Sequence, residues 1–196
     1  MRLRLLIAAV FGFTLLTTSS IGQQGAATPE PAQLTTLPAS VLEVELKSAR
    51  GGPFKLSDYS DRVLVLNLWA TWCSPCVMET PALVRMQSRF WSRGVRVVGL
   101  TAEDPQDSAK QVVDWVRLFR VQYKIGWMTA DFNKSLVKDG RDVLPQTIMI
   151  LRSGRIVRHF VGFDPKKTPG LLEEAIEEAL KEIAEVQAHE VSTTSR

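Results

Sequence analysis

The sequence predicts an α/β domain built on a mixed β-sheet, and three observations support this class. Residues Val63–Trp69 and Arg96–Leu100 are almost continuously apolar, as expected of strands that are buried on both faces of a sheet. A helix-compatible stretch follows each of them, and alternating strands and helices predict a parallel sheet core. The pair Ser153-Gly154 predicts a hairpin turn between two late strands, which adds an antiparallel edge.

The remaining elements follow from local patterns. An N-terminal β-hairpin is predicted, with strands over Val41–Leu46 and Phe54–Leu56. The helix after the first buried strand is expected to end at Gly94, and Asp104-Pro105 begins the next helix. A short strand, a helical turn, the two strands of the late hairpin and a final helix complete the chain: Ile125–Met128, Asp131–Val137, Thr147–Leu151 with Arg155–Val161, and Thr168–Val186.

The final helix is amphipathic. One side carries apolar residues that are expected to face the core, namely Leu171, Leu172, Ile176, Leu180 and Ile183. The other side is acidic, and we interpret it as a solvated face: Glu173, Glu174, Glu177, Glu178, Glu182 and Glu185.

The two ends of the chain differ in composition from the predicted domain at residues 41–187. Residues 1–22 combine a basic start, an apolar core over Leu5–Leu16 and a small-residue end, which is typical of a secretory signal peptide. An uncleaved N-terminal membrane anchor is the alternative. Residues 23–40 are rich in Gln, Ala, Thr and Pro and are predicted to be a disordered linker, and residues 188–196 to be a flexible tail. Either N-terminal interpretation places the domain outside the cytoplasm, for example in the periplasm, where dithiols meet oxidising conditions.

Charge argues against one class of partner. The formal net charge of +3 includes Arg2 and Arg4, the other arginines are scattered, and the last helix is acidic. A nucleic-acid-binding protein is expected to carry a basic stripe on one face. We therefore expect no nucleic-acid partner.

The only two cysteines, Cys73 and Cys76, stand between the first buried strand and the helix that follows it. Two thiols at positions i and i+3 of a first helical turn can close a disulfide, and the partial positive charge of a helix N-terminus favours a thiolate. The spacing therefore suits thiol–disulfide exchange, in which Cys73 attacks and Cys76 resolves the mixed disulfide. Ser74 and Pro75, between them, are expected to tune the redox poise.

Two other roles for the cysteines remain open. A purely structural disulfide is one, although so small a loop adds little stability. A copper-handling or other binding module is the second, since two thiolates could hold Cu(I). Zinc would need two further ligands, and neither His159 nor His189 has ligand spacing to the cysteines. We expect no metal and no organic cofactor, because the dithiol is itself the redox group.

These elements, with Cys-x-x-Cys after a buried strand and an x-Pro before a later one, resemble the thioredoxin fold. The finer resemblance is to the TlpA-like (ResA-type) branch, extracytoplasmic thioredoxins used in cytochrome c maturation and related thiol reduction. It covers about residues 41–185 and is carried by Phe54–Asp58, Val63–Cys76, Glu79 with Pro81, Val97–Leu100, Leu144–Thr147 and Gly154.

The resemblance implies roles for further residues. Asn67 stands where thioredoxins proper have a buried Asp, and Glu79 matches a Glu that the TlpA-like branch often has three residues after the second cysteine. Glu79 is expected to exchange protons with Cys76 if it is partly buried, which would raise its pKa; an ordinary surface carboxylate is the alternative. The resemblance also implies that Pro145 is cis and that the backbone of Leu144 pairs with a bound client as an added strand.

The tryptophans near the motif receive different roles. Trp72 is expected to form exposed apolar surface for client docking, and Trp69 to pack in the core. Trp91, Trp115 and Trp127 are interpreted as core or helix-face residues.

Taken with the resemblance, the sequence predicts an extracytoplasmic thiol–disulfide oxidoreductase that reduces client proteins, with apocytochrome c as a candidate client. Its electrons would come from a membrane dithiol donor of the DsbD or CcdA kind. A thiol peroxidase is the alternative enzyme, because peroxiredoxins share the fold. Their motif Pro-x-x-x-Thr/Ser-x-x-Cys is absent before Cys73, where Leu66 and Ala70 stand instead.

Overall fold

Among the residues that the structure describes, five strands form one mixed sheet: β1 (Val63–Trp69), β2 (Val95–Thr101), β3 (Lys124–Trp127), β4 (Gln146–Ile150) and β5 (Ile156–Val161). Their spatial order is β3-β2-β1-β4-β5. β1 and β3 run parallel to β2, whereas β4 runs antiparallel to both β1 and β5. The predicted parallel core with an antiparallel edge is therefore confirmed.

The structure is a computed structural model and describes residues 36–130, 132, 143–151 and 154–194. The predicted signal peptide or anchor, most of the predicted linker and the predicted turn residue Ser153 lie outside these residues, as does the predicted helical turn at 131–137 except for Phe132. Within the described ranges, no helix combines the length and the apolar character needed to cross a membrane.

In the described part of the chain, four α-helices accompany the sheet: α1 (Ala39–Leu42), α2 (Ser74–Phe90), α3 (Pro105–Leu118) and α4 (Thr168–Thr194). Buried residues of α2, α3 and α4 share one core cluster with Val63, Val65 and Trp69 of β1. The intervening residues of β1 face a second cluster, to which the segment before the sheet contributes. Because side chains alternate along a strand, Asn67 lies on the face of β1 that packs against α2.

Local sequence explains where α2 and α3 begin and end. Cys73 is the N-cap of α2, with Pro75 in the first turn, a position that needs no backbone N–H donor. A short 3₁₀ turn follows α2 and ends at Gly94, whose φ of 88° lies in the left-handed region that favours glycine. Asp104 caps α3 by accepting a hydrogen bond from the Gln106 backbone N–H at 2.7 Å.

The N-terminal part of the domain differs from the prediction. Instead of two strands, one antiparallel bridge joins Leu46 to Phe54, and part of the predicted first strand lies in α1. The ordered domain also begins before the expected boundary at residue 41. Thr36 bridges Arg155, and Leu37, which is 1% exposed, donates its backbone N–H to the Gly154 carbonyl. Leu37, which was predicted to belong to the linker, therefore packs on the domain next to the buried Val41 side of α1.

The length of the C-terminal helix and the exposure of two apolar residues differ from what the sequence predicts. α4 continues to Thr194, so the predicted tail at 188–196 is helical over most of its length. Residues 188–196 contain no Pro or Gly that would end the helix. Leu171, expected to face the core, is 46% exposed because it lies in the first turn, at the margin of the buried stripe. Trp91 is 53% exposed, and the Arg96 guanidinium lies 3.4 Å from its ring centroid.

The acidic side of α4 is more organised than a solvated face. Four of its glutamates pair with arginines that lie in α2, in the 3₁₀ turn after it, just before β5 and within β5. We refer to this surface as the arginine–glutamate face, and its pairs are Arg89–Glu173, Arg93–Glu177, Arg158–Glu178 and Arg155–Glu182.

Candidate active site

The two cysteines form a disulfide at the N-terminus of α2. Their S–S distance is 2.04 Å and their Cα atoms lie 5.3 Å apart. The Cys76 backbone N–H donates to the Cys73 Sγ at 3.2 Å, so the helix terminus directs a donor at this sulfur. Cys73 is 5% exposed and Cys76 is 1% exposed, so both are buried and the first cysteine is the slightly more accessible of the two.

Glu79 lies one turn further along α2 and is 1% exposed. Positions i and i+3 share one side of a helix, which places Glu79 on the same side as Cys76. Burial raises the pKa of Glu79 to about 7, against hydrogen bonds from Thr147 and Asn67 that favour the ionised form and lower it. The alternative of a surface carboxylate is therefore wrong, and the condition set for proton exchange, partial burial, is met.

Two buried side chains hold the Glu79 carboxylate. Asn67 Nδ2 donates to Oε2 at 2.7 Å, and Thr147 Oγ1 donates to Oε1 at 2.8 Å. Asn67 Nδ2 also lies 3.1 Å from Thr147 Oγ1. We call Asn67, Glu79 and Thr147 the Glu79 cluster. Thr147 was missed as a site residue, and only the pairing of β1 with β4, which sets Asn67 opposite Thr147, brings it there.

The segment before β4 lies at the same edge of the sheet as the disulfide. The register pairs Leu68 with Gln146, so Leu144 and Pro145 lie beside the end of β1 that leads into the motif. The Leu144–Pro145 peptide bond is cis, as the resemblance implied. Leu144 packs against the core cluster that contains both cysteines. The Gln146 side chain points away from solvent, is 2% exposed, and contacts the Val143 carbonyl and the His159 ring.

Glu103 is a second acidic residue that the sequence reading missed. Its carboxylate accepts hydrogen bonds from the Thr71 backbone N–H at 2.8 Å, the Thr71 hydroxyl at 2.6 Å and the Thr101 hydroxyl at 2.7 Å. Glu103 follows β2 and Thr71 follows β1, and parallel neighbouring strands end at the same edge. The contacts tie the loop that leads into Cys73 to the end of β2.

Tyr123, just before β3, lies near the Glu79 cluster. Burial raises the pKa of its phenol, and the negative charge of Glu79 raises it further. Tyr123 therefore stays neutral over the range in which Glu79 titrates. It was not among the predicted site residues, because nothing in its local sequence distinguishes it from a core aromatic.

The remaining predicted site residues lie around the disulfide. Ser74 and Pro75 form the first turn of α2. Trp72 is 71% exposed, and Val77 and Met78 of α2 are also exposed. Trp69, in contrast, is 2% exposed, as expected of a core residue. The structure thus brings the predicted dithiol, the acid and an exposed apolar surface to one end of α2, with the predicted Leu144–Pro145 segment at the same sheet edge.

Comparison with known proteins adds the family. A family model described as the AhpC/TSA family matches residues 38–159, more than half of the chain. The chain belongs to the AhpC/TSA family. One relative of this AhpC/TSA protein is the thiol-disulfide oxidoreductase ResA of Bacillus thuringiensis, 27% identical over 135 residues that cover 68% of this chain and 70% of the relative.

Solved structures confirm the thioredoxin fold. A thiol:disulfide interchange protein of the thioredoxin family from Chlorobium tepidum matches with a TM-score of 0.63 and 23% identity, covering 79% of this chain and 99% of that one. Peroxiredoxin Q of Xanthomonas campestris matches with a TM-score of 0.61 and 12% identity, covering 75% and 98% of the two chains. The predicted ResA-type membership and the predicted enzyme class, an oxidoreductase, are confirmed for this AhpC/TSA protein.

Proposed function

We propose that the protein is an extracytoplasmic thiol–disulfide oxidoreductase that reduces disulfides of client proteins through Cys73 and Cys76. One observation carries this proposal: the only two cysteines form a disulfide at a helix N-terminus, above a buried carboxyl group with a pKa of about 7. The pattern of residues 1–22 supports a position outside the cytoplasm, as an exported or an anchored protein.

The reaction begins with the reduced protein. The Cys73 thiolate attacks one sulfur of a client disulfide, the client S–S bond breaks, and a Cys73–client mixed disulfide forms while the other client sulfur leaves as a thiolate. The helix N-terminus and the Cys76 backbone N–H, which donates to the Cys73 sulfur, favour this thiolate.

The second step regenerates the disulfide found in the structure. Glu79 accepts the proton of the Cys76 thiol, and the resulting thiolate attacks Cys73. The Cys73–Cys76 bond forms and the client leaves as a second thiolate, which takes up a proton. Two electrons have then passed from the protein to the client. A carboxyl group with a pKa near 7 suits this proton transfer, because it can gain and lose a proton near neutral pH.

Client recognition is proposed for two features beside the disulfide. Trp72, with Val77 and Met78, offers apolar surface next to Cys73. The Leu144–Pro145 segment is proposed to pair with an extended client chain as an added strand. Apocytochrome c is a candidate client, and a membrane dithiol protein of the DsbD or CcdA kind is the proposed electron donor; both follow from the ResA-type resemblance.

Insulin reduction with dithiothreitol tests the proposed activity. We expect the wild-type protein to accelerate insulin precipitation, Cys73→Ser to lose this activity, and Cys76→Ser to accumulate a mixed disulfide with its client. The reduction potential then gives the direction, since a strongly reducing value supports a reductase and a value near that of DsbA an oxidase. An inactive wild-type protein that consumes hydrogen peroxide, or that binds Cu(I) tightly, would contradict the proposal.

A further inference from the structure

The two carboxylate oxygens of Glu79 have chemically different neighbours. Oε2 accepts from the Asn67 amide at 2.7 Å, and Oε1 accepts from the Thr147 hydroxyl at 2.8 Å. The amide also donates to the hydroxyl at 3.1 Å, which closes a ring of three hydrogen bonds. All three side chains are buried, with exposed fractions of 3% for Asn67 and 1% for Glu79 and Thr147.

The two donors respond differently when Glu79 takes up a proton. An amide nitrogen only donates, so a proton on Oε2 would face the N–H of Asn67 and lose that hydrogen bond. A hydroxyl both donates and accepts, and its two lone pairs can receive two donors at once. Thr147 can therefore turn its own hydrogen away and accept from both Asn67 and a protonated Oε1, so the contact between Thr147 and Oε1 survives protonation with the direction of its hydrogen bond reversed.

We propose that Thr147 is a positioning residue that reserves Oε1 of Glu79 for the exchangeable proton, while Asn67 holds Oε2 as a permanent acceptor. Its role in turnover rests on the proposed function, in which Glu79 takes the proton of Cys76. The assignment links the protonation state of Glu79, on α2, to the hydroxyl orientation of Thr147, on β4. Thr147 is the second residue after Pro145.

The assignment also explains why an amide suits position 67. An Asp there would place a second carboxylate about where the amide now donates, and two carboxylates at that distance cannot both stay ionised. Asn67 supplies a donor with no charge of its own. Among the described residues, Tyr123 interacts electrostatically with Glu79 and stays neutral, and the two cysteines of α2 do not titrate as a disulfide.

Titration of Glu79 in the oxidised protein tests the role of Thr147, with the ¹³C shift of the Glu79 carboxyl carbon as readout. Thr147→Val removes the donor to the ionised form, and we expect the pKa of Glu79 to rise by about one unit. Thr147→Ser keeps the hydroxyl and should titrate as the wild type. Thr80→Val is the matched control, since Thr80 is a buried neighbour on α2 whose hydroxyl bonds the Cys76 carbonyl instead of Glu79.

Infrared spectroscopy tests which oxygen carries the proton, with Glu79→Gln as the reference that lacks the Glu79 carboxyl group. The difference spectrum between each protein and this reference at low pH isolates the C=O stretch of protonated Glu79. We expect the wild type to show the lowered frequency of a carbonyl that accepts the Asn67 N–H, and Thr147→Val to show the same frequency, because Thr147 then contacts the O–H oxygen and not the carbonyl oxygen. A frequency that rises in Thr147→Val toward that of a free carbonyl would overturn the assignment. So would an unchanged titration in Thr147→Val, or an equal shift in Thr80→Val. None of these readouts needs turnover, so an inactive wild type would overturn the proposed function alone.

Discussion

Two regions of this protein hold glutamates in contrasting surroundings: the interior at Glu79, one turn of α2 beyond Cys76, and the exposed arginine–glutamate face. In the interior, one carboxylate is held by two neutral donors, Asn67 and Thr147, and its pKa is raised to about 7. On the face, Glu177 is paired with the Arg93 guanidinium, which lowers its pKa. The acid with the weaker partners is thus the one whose protonation changes near neutral pH, because desolvation outweighs hydrogen bonding.

The contrast shows why the number of contacts is a poor guide to what a carboxylate does. A charged pair at the surface adds little to the free energy of unfolding, because water already stabilises both ions when they are apart. In the interior, water does not stabilise the ionised carboxylate, so the pKa of Glu79 rises toward neutral pH. Glu103 is intermediate in burial: it is half-buried, and its carboxylate accepts three hydrogen bonds. We therefore expect the effect of a substitution on the free energy of unfolding to decrease from the buried Glu79 to the half-buried Glu103 and then to the exposed Glu178.

The largest effect is expected at Glu79, in the pH dependence of stability. Its pKa is about 7 in the folded protein and 4.5 when unperturbed, so the folded state binds the proton more tightly. Its contribution is fully present below about pH 4.5 and is lost as the pH rises through 7, which amounts to about 3 kcal/mol. Urea unfolding of the oxidised protein across this range measures it as the difference between wild type and Glu79→Gln.

Glu178→Gln is the matched control for this measurement. It removes the same charge from the arginine–glutamate face, where the side chain is 54% exposed. We expect its free energy of unfolding to follow that of the wild type between pH 4.5 and 7. Parallel pH profiles for the wild type and Glu79→Gln would show that the interior site does not perturb its carboxyl group, and the contrast between the regions would disappear.

An intermediate effect is expected at Glu103. Glu103→Ala leaves the Thr71 backbone N–H and two threonine hydroxyls without their acceptor. Water can replace part of what is lost at a half-buried site, so we expect a loss of about 2 kcal/mol in the free energy of unfolding. Glu103→Gln keeps one acceptor oxygen and should lose less. A loss of stability in Glu103→Gln as large as in Glu103→Ala would show that the charge, and not the geometry of the loop, is what stabilises.

The sequence was sufficient for the elements whose signal is local. A continuous apolar run set β1 at Val63–Trp69, and Cys73, Pro75 and Asp104-Pro105 marked helix starts that the structure places at the same residues. The prediction of an N-terminal hairpin was wrong, because Val41 and Leu42 lie in α1 and a single bridge joins Leu46 to Phe54. The Leu37 N–H donates to the Gly154 carbonyl, a contact between residues far apart in sequence that no local pattern contains.

The position of the site could be predicted from the sequence, but the hydrogen-bond partners of its residues could not. The dithiol and Glu79 follow from spacing and resemblance, but Thr147 joins the cluster only through the register of β4 against β1. Glu103 likewise depends on two strands that end at one edge of the sheet. Such contacts join residues distant in sequence, and no local pattern contains them. The arginines that pair with α4 were missed for the same reason, since they come from α2 and the late hairpin strand.

The smallest effect is expected on the arginine–glutamate face, at the pair Arg158–Glu178. Its nitrogen and oxygen lie 2.8 Å apart, and each side chain is 54% exposed. A double-mutant cycle with Arg158→Ala and Glu178→Ala, measured by urea unfolding, should give a coupling energy of about 0.5 kcal/mol in low salt. The coupling should shrink at about 1 M NaCl, where the Debye length falls to about 3 Å, because salt ions reach both exposed side chains. A coupling energy that is several times larger, or that is insensitive to salt, would show that this surface fixes α4 as firmly as burial fixes Glu79. Burial would then no longer explain why the pKa of the interior carboxylate is raised toward neutral pH.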